Sequence, residues 1–131
     1  MKINKDFKKI DSSSLVTGKP VYTEDLKDPN ALIIKLMRSP YARCEILEID
    51  KSKAEAMDGI VAVYTYEDVF DNKFTLAGQS YPEPSPYDMS ILSKNIRYMK
   101  EPVAIVVGVN EKVCNQAMKR IKIKYDVKEP L

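Results

Sequence analysis

The longest uninterrupted apolar stretch in the chain is the run Val103–Val107, which is rich in β-branched residues. Pro102 precedes this run and Gly108 ends it. A short β-branched run between such residues predicts a strand that is buried on both faces. It is far too short to span a bilayer as a helix. We therefore expect the rest of the chain to be organised around a sheet that contains this strand.

A helix and a further strand are predicted directly after this run. Asn110 can cap a helix. Apolar residues then recur at the spacing of one helix face, at Val113, Cys114, Ala117 and Met118. Strict alternation of apolar and polar residues follows, which predicts a strand with one face in the core and one in water. The apolar positions of that strand are Ile121, Ile123, Tyr125 and Val127.

Two strands are predicted in the first half of the chain. Leu32–Arg38 has the composition of a strand, and Ser39–Ala42 breaks it because it contains a proline. Cys44–Ile49 is predicted as the next strand. Because only a short turn separates the two, we expect them to be antiparallel neighbours in one sheet.

A short helix and another strand complete this part of the pattern. Asp50 is a predicted cap for a helix over Lys51–Met57, and Gly59 suits a left-handed position just past its end. Ile60–Tyr64 is predicted as a strand. Strand–helix–strand thus occurs twice, over residues 44–64 and 103–126. The predicted fold class is α+β, with a mixed β-sheet.

A long proline-rich loop separates the two units. Tyr81–Tyr87 contains three prolines, which exclude a helix or an inner strand because each proline lacks a backbone donor. Long loops without secondary structure are uncommon in compact domains and are often functional. A functional loop and a flexible surface excursion agree equally well with these residues.

The N-terminal region is predicted to contribute little regular structure. Residues 1–13 form a charged arm in this interpretation, and residues 14–131 form a single domain. Asp11–Ser14 can start a short helical turn, which Gly18 and Pro20 would end.

Composition excludes several kinds of site within this chain. It contains no histidine, which excludes histidine-based nucleophilic, acid–base and metal sites. Its two cysteines, Cys44 and Cys114, lie far apart without a cysteine neighbour, so no zinc or iron–sulfur motif is present. Both are predicted to be small core residues. The four glycines form no phosphate-binding loop.

The net charge and the N-terminal sequence limit the kinds of partner and the location that we expect. The net charge is +2, with lysines scattered among acidic residues. This favours a solvated mixed-charge surface over a nucleic-acid interface. The adjacent carboxylates Glu24–Asp25 and Glu67–Asp68 are also predicted to be solvated. No signal peptide or membrane segment is found, so we expect a cytoplasmic protein.

Six stretches resemble, in order and at similar spacing, one enzyme family. They match its motifs V-T-G-x-A-x-Y-x-x-D, R-S-P-x-A, I-D…A…P-G-V-x-A-V, E-D-V, V-R-Y-x-G-E-P-V-A and Y-E/D-x-L-P. The stretches are Val16–Asp25, Arg38–Ala42, Ile49–Val63, Glu67–Val69, Ile96–Ala104 and Tyr125–Leu131. The main departures are Pro20 for alanine, Asp58 for proline and Lys100 for glycine, and Val127–Leu131 matches the last motif only loosely. The family is the molybdenum-binding large subunit of xanthine dehydrogenases and aldehyde oxidases, and the matching part is its N-terminal α/β-hammerhead domain.

The resemblance implies a non-catalytic domain of a larger oxidoreductase. Such enzymes oxidise an aromatic heterocycle, as in purine metabolism, or an aldehyde, with water as the oxygen source. The molybdopterin-type molybdenum cofactor belongs to downstream domains of the same subunit. The iron–sulfur clusters and FAD belong to other domains or subunits. We therefore expect a fragment of a longer chain that binds no cofactor itself, is inactive alone, and has these domains and subunits as partners.

The resemblance also suggests which residues meet those partners. Relatives use the loop that corresponds to residues 71–95 to help line the substrate funnel, which makes Phe74, Leu76 and Tyr81 the funnel candidates. The candidates for packing on neighbouring domains are Arg38, Ser39, Pro40, Tyr98, Lys100, Glu101 and Pro102. If the family glycine at position 100 adopts a special turn, Lys100 alters that contact.

A second hypothesis makes the domain an assembly module without a role at the substrate site. It would dock subunits through a strand edge and the turn Arg38–Ala42. In either case, apolar surface meant for other domains would be exposed in the isolated chain. We therefore expect self-association, for example by exchange of the N-terminal arm.

Overall fold

The computed structural model describes residues 9–19, 22–26, 28–75 and 85–130, and the chain divides into two compact units. The first unit, residues 1–31, contains helix α1 (Ser12–Val16) and one turn of 3-10 helix (Thr23–Leu26). The predicted helical turn is confirmed. Gly18 follows it with a φ of +67°, and its N–H donates to the Leu15 carbonyl at 3.2 Å. Pro20 and residues 1–8 of the predicted arm lie outside the described residues.

The second unit, residues 32–131, contains the predicted strands and helices. In chain order they are β1 (Ile33–Arg38), β2 (Cys44–Asp50), α2 (Ser52–Glu55), β3 (Ile60–Tyr64), β4 (Asn95–Ile96), β5 (Pro102–Gly108), α3 (Glu111–Met118) and β6 (Lys122–Val127). Helix α2 is shorter than the predicted Lys51–Met57. Within the described residues, no helix has the length and hydrophobicity needed to cross a bilayer.

The described strands form two three-stranded sheets. Sheet A has the order β1-β5-β3 and sheet B the order β4-β2-β6, and every pairing is antiparallel. The prediction that the first two strands are neighbours is therefore wrong. β1 pairs with β5 from Ile33↔Gly108 to Arg38↔Pro102. β5 competes successfully for β1 because a strand that is apolar on both faces is suited to the centre of a sheet.

The connections explain why two sheets form where one mixed sheet was expected. β2 lies in sheet B and is followed by α2 and then β3 in sheet A. β5 lies in sheet A and is followed by α3 and then β6 in sheet B. Each strand–helix–strand unit thus crosses between sheets and creates no parallel pair. The α+β class itself is confirmed.

Two apolar clusters hold these elements together. The first joins sheet A to the helices and contains Ala54, Val63, Ala104, Val106, Cys114, Ala117 and Ile121. The second contains Cys44, Ile46, Ile96 and Val103. Met37, Ile49 and Ile123 pack against both clusters and so connect the two sheets. Both cysteines are buried core residues, as predicted.

The predicted helix cap is confirmed at α3, whereas at α2 the capping position is Lys51 and not the predicted Asp50. Asn110 Oδ1 accepts the Val113 N–H at 2.9 Å and caps α3. Asp50 Oδ1 accepts the Ser52 N–H at 3.0 Å at the start of α2. Gly59 has a φ of +82°. A Cβ at Gly59 would lie 2.9 Å from Val109 Cγ2, so glycine is required there for space as well as conformation.

Candidate functional site

Two turns from distant parts of the chain are joined by hydrogen bonds beside sheet A. They are residues 38–42, at the end of β1, and residues 98–102, at the start of β5; we call them the paired turns. The Ser39 N–H donates to the Glu101 carbonyl at 2.9 Å, and the Lys100 N–H donates to the Ser39 carbonyl at 3.2 Å. The Arg38 guanidinium donates to the Lys100 carbonyl at 3.0 Å. The turns meet because Arg38 is paired with Pro102 in sheet A.

Two polar side chains are buried within the paired turns, and both have partners. Ser39 is fully buried; its Oγ accepts the Tyr41 N–H at 3.0 Å and donates to the Tyr41 carbonyl at 2.9 Å. Glu101 is 5% exposed, and its carboxylate accepts the Arg97 N–H at 2.6 Å. Because buried polar groups are costly without partners, these bonds favour one conformation of the turns.

Lys100 has a strained backbone. Its φ is 69°, which makes it the only non-glycine residue with a positive φ in the described part of the chain. The left-handed region costs an L-residue with a Cβ about 1–2 kcal/mol. Glycine adopts this conformation without that cost. The expectation of a special turn at position 100 is thus supported by the backbone geometry.

The structure brings the predicted packing residues together. Arg38, Ser39, Lys100 and Glu101 exchange the bonds described above, and the Tyr98 carbonyl accepts the Glu101 N–H at 3.3 Å. Pro40 is exposed beside Ser39. The exposed members of this set, Arg38, Pro40, Tyr98 and Lys100, lie around the buried Ser39 and Glu101. Their role in packing on another domain stays a prediction.

The long loop is closed at its base by contacts between its two described legs, residues 71–75 and 85–95; we call this the loop neck. Phe74 and Met89 form an isolated antiparallel bridge with backbone N–H···O distances of 2.9 and 3.0 Å. Lys73 Nζ lies 2.6 Å from both Asp71 Oδ1 and Ser90 Oγ. These polar partners were not singled out from the sequence, because no local pattern relates side chains so far apart along the chain.

The funnel candidates fall on and beyond this neck. Phe74 is 37% exposed at the neck, beside a groove of about 240 Å³ that Lys73 and Ser90 help to line. Leu76 and Tyr81 lie outside the described residues. Their proposed contact with substrate stays a prediction.

One face of sheet A is apolar and is left uncovered by the described residues of the second unit; we call it the open face. It is formed by the cross-strand neighbours Ile34, Leu36, Ala62, Tyr64, Ile105 and Val107. Ile34 is 63% exposed, Tyr64 44% and Leu36 41%. The prediction that β5 is buried on both faces is therefore only half right, because Ile105 and Val107 are just partly buried. An apolar patch of this kind marks an interaction surface.

The described residues do not fit a metal or a cluster. They include no group of three or more cysteine, aspartate or glutamate side chains that could hold a metal ion. Cys44 and Cys114 lie in separate core clusters, and burial raises the pKa of both thiols, which disfavours the thiolate that a metal needs. We therefore derive no step of catalysis from these side chains.

Comparisons with known proteins agree on one domain type. The family model described as "Aldehyde oxidase and xanthine dehydrogenase, a/b hammerhead domain" matches residues 17–129. The chain is 40% identical over 129 residues to the probable hypoxanthine oxidase XdhD of Escherichia coli, covering 98% of this chain and 14% of that protein. It is 29% identical to an E. coli xanthine dehydrogenase molybdenum-binding subunit, covering 90% of this chain and 16% of the subunit.

A solved structure shows the same fold. Quinoline 2-oxidoreductase from Pseudomonas putida 86 superposes with a TM-score of 0.75 at 24% identity, over 92% of this chain and 16% of that chain. The two curated relatives and this structure are thus each several times longer than the matched region.

Proposed function

The chain belongs to the aldehyde oxidase and xanthine dehydrogenase family, as its a/b hammerhead domain, and we propose that it packs on the cofactor domains of a molybdenum hydroxylase. The family consists of enzymes with a molybdenum cofactor, iron–sulfur clusters and FAD. Because this chain spans 14% of the length of its 40% identical relative, the activity would belong to a larger protein. The domain itself would be structural.

The substrate we propose is a purine close to hypoxanthine. The support is the printed name of the 40% identical relative, probable hypoxanthine oxidase. The reaction would replace a C–H hydrogen of the purine by a hydroxyl group whose oxygen comes from water. It would release two protons, and two electrons to an acceptor. The source of the oxygen is tested by mass spectrometry of the product that the complete enzyme forms in ¹⁸O-water. A product without ¹⁸O would exclude water as the source.

The open face carries the proposal that the domain packs on others. Six apolar side chains from three strands lie on it, and helices α2 and α3 pack on the opposite face of sheet A. The occupant we propose is an apolar surface of the molybdenum-binding domains, because the matched relatives continue for most of their length beyond the matched region.

A matched pair of variants tests this packing in the complete molybdenum-binding subunit. Leu36→Lys places a charge on the open face, and Leu47→Lys places one on sheet B at a similarly exposed leucine (41% and 50% exposed). We expect Leu36→Lys to lower molybdenum content and hypoxanthine oxidation about tenfold, and Leu47→Lys to leave both unchanged. Equal behaviour of the two variants would argue against the open face as the packing surface.

We further propose that the loop at residues 71–95 lines the substrate funnel. The loop neck supports this, because its bridge and polar contacts restrict the base of the loop to one arrangement. Replacing residues 76–84 with a glycine–serine segment of equal length in the complete enzyme should raise KM for purines. Unchanged KM and kcat for every heterocycle tried would refute the funnel role.

The assembly-module alternative is favoured by one specific observation, the hydrogen bonds that hold the buried polar side chains of the paired turns. A surface built so rigidly suits docking of another subunit. In this case the chain should bind the remaining subunits in a pull-down at micromolar concentration. Substitution at Ser39 or Pro40 should abolish that binding, whereas replacement of residues 76–84 should not.

A further inference from the structure

Arg97 contacts both the loop neck and the paired turns. Its Nη1 lies 2.7 Å from Asp88 Oδ2, and its Nη2 lies 2.8 Å from Met89 Sδ. Its backbone N–H donates to the carboxylate of Glu101 at 2.6 Å. The side chain of Arg97 thus binds the second leg of the loop, while its backbone is fixed to a buried residue of the turns.

The contacts on either side of Arg97 make a continuous path. On one side, the carbonyl of Glu101 accepts the N–H of Ser39. On the other side, Met89 is bonded through its backbone to Phe74 in the first leg of the loop. The path from Ser39 through Glu101, Arg97 and Met89 to Phe74 therefore consists of hydrogen bonds, and the ion pair with Asp88 is a side branch of it. Arg97 lies between the second leg of the loop, which ends at residue 95, and the second of the paired turns, which begins at residue 98, and its side chain folds back on that leg.

The other cross-link of the neck has a different geometry. Lys73 bonds Asp71 and Ser90, which lie in the two legs of the loop, and within the described part of the chain it forms no hydrogen bond or ion pair with the paired turns. This contact closes the neck without fixing its place. Lys73 joins the two legs of the loop to each other, whereas Arg97 joins the loop to the paired turns. Lys73 is therefore the control for Arg97.

We propose that Arg97 is a positioning residue that holds the loop neck at a fixed place relative to the paired turns. A domain seated on the turns would then determine where the loop stands. The effect on substrate rests on the proposed funnel role of the loop, whereas the positioning itself does not. Arginine suits this task because its planar fork presents two donors to two neighbouring partners at once.

Hydrogen exchange of the chain, followed by NMR, tests the positioning directly. Arg97→Gln should speed exchange of the Phe74 and Met89 amides about fivefold, the size expected for loss of an exposed ion pair. The Val103 and Val106 amides in β5 should not change. Arg97→Lys should restore only part of the protection, because it retains a cation for Asp88 but lacks the second donor that contacts Met89. Unchanged exchange at the neck in Arg97→Gln would overturn the proposal.

A double-mutant cycle separates a specific contact from general loosening. Asp88→Asn combined with Arg97→Gln should speed exchange no more than either change alone, whereas Lys73→Met should add to Arg97→Gln. Additive effects of Arg97→Gln and Asp88→Asn would overturn the assignment.

Kinetics of the complete enzyme then separate this proposal from the funnel role. Higher KM at unchanged kcat in Arg97→Gln supports both. Faster exchange with unchanged KM supports the positioning and refutes the funnel.

Discussion

The two faces of sheet A differ in what covers them more than in what they are made of. On the covered face, Val63, Ala104 and Val106 are at most 2% exposed and pack with residues of α2 and α3. On the open face, Ile34 and Leu36 are apolar and yet 63% and 41% exposed. The same three strands supply both faces. Apolar character alone therefore does not show which face serves the fold and which serves a partner.

The comparison separates two physical tasks. The covered face contributes to folding within the chain, because its apolar area leaves water when the chain folds. The open face keeps much of its apolar area in water, so it can contribute mainly to association. Substitutions on the covered face should therefore change the free energy of unfolding, whereas substitutions on the open face should mainly change association.

The largest expected effect comes from a charge on the covered face. Val106→Asp places a carboxylate at a fully buried position without a partner, and we expect a loss of more than about 4 kcal/mol in the free energy of unfolding. Ile34→Asp is the control on the open face and should cost about 1 kcal/mol or less. Urea denaturation followed by circular dichroism measures both. Similar losses would erase the distinction between the faces.

A smaller effect is expected at Asp68, which lies just after the edge strand β3 of sheet A. Lys51 Nζ lies 2.9 Å from the Val63 carbonyl and 2.8 Å from both oxygens of Asp68. Asp68 also accepts the N–H and hydroxyl of the buried Thr65. Asp68→Asn should cost about 2 kcal/mol at pH 7, because charged hydrogen bonds are lost at a partly buried site. Asp71→Asn, in an exposed ion pair, is the control and should change little.

The same carboxylate predicts a pH dependence. Burial alone would raise the pKa of Asp68, but hydrogen bonds from Lys51 and Thr65 outweigh it and lower the pKa below its usual 3.8. Its stabilisation is thus complete above the unfolded-state pKa and is lost as the pH falls through the lower folded-state pKa. The difference in unfolding free energy between wild type and Asp68→Asn should therefore shrink below about pH 4. A constant difference down to pH 2 would contradict this sign.

The strands could be predicted from the sequence, whereas their pairing could not. Alternation and β-branched runs are local, so β1, β2, β3, β5 and β6 were all recognised. Pairing is decided by competition between distant segments: β1 pairs with β5, and the bonds of Ser39 and Arg38 to Glu101 and Lys100 extend that pairing past the end of the strands. The open face was missed for a related reason. An apolar run looks the same whether helices of its own chain or a partner cover it.

The candidate site was predicted unevenly. The resemblance pointed to the paired turns and to Lys100, and the structure brings those residues together. The contacts of Arg97 with Asp88 and Met89, and of Lys73 with Ser90, depend on how the loop folds back. No periodicity of the sequence records such a fold.

Self-association of the isolated chain would sharpen the comparison between the faces. We expect the open face to dimerise at high concentration, because the described residues of the second unit leave it uncovered. Leu36→Lys should weaken the dimer about tenfold, whereas Leu47→Lys on sheet B should not. Equilibrium sedimentation at several concentrations measures this. A clean monomer at millimolar wild-type concentration would show that the open face does not self-associate.

The smallest effect is expected at Lys100, whose backbone conformation in the paired turns lowers the stability of the fold. Lys100→Gly relieves a left-handed conformation costing about 1–2 kcal/mol but adds flexibility to the unfolded chain. We therefore expect a net gain of about 1 kcal/mol in urea denaturation. Lys100→Ala keeps the Cβ and should be no more stable than the wild type. If Lys100→Ala and Lys100→Gly were equally stabilising, the lysine charge and not the backbone conformation would be the cause. If Lys100→Gly stabilises the chain but weakens its binding to partner domains, the lysine side chain contributes to association and not to folding.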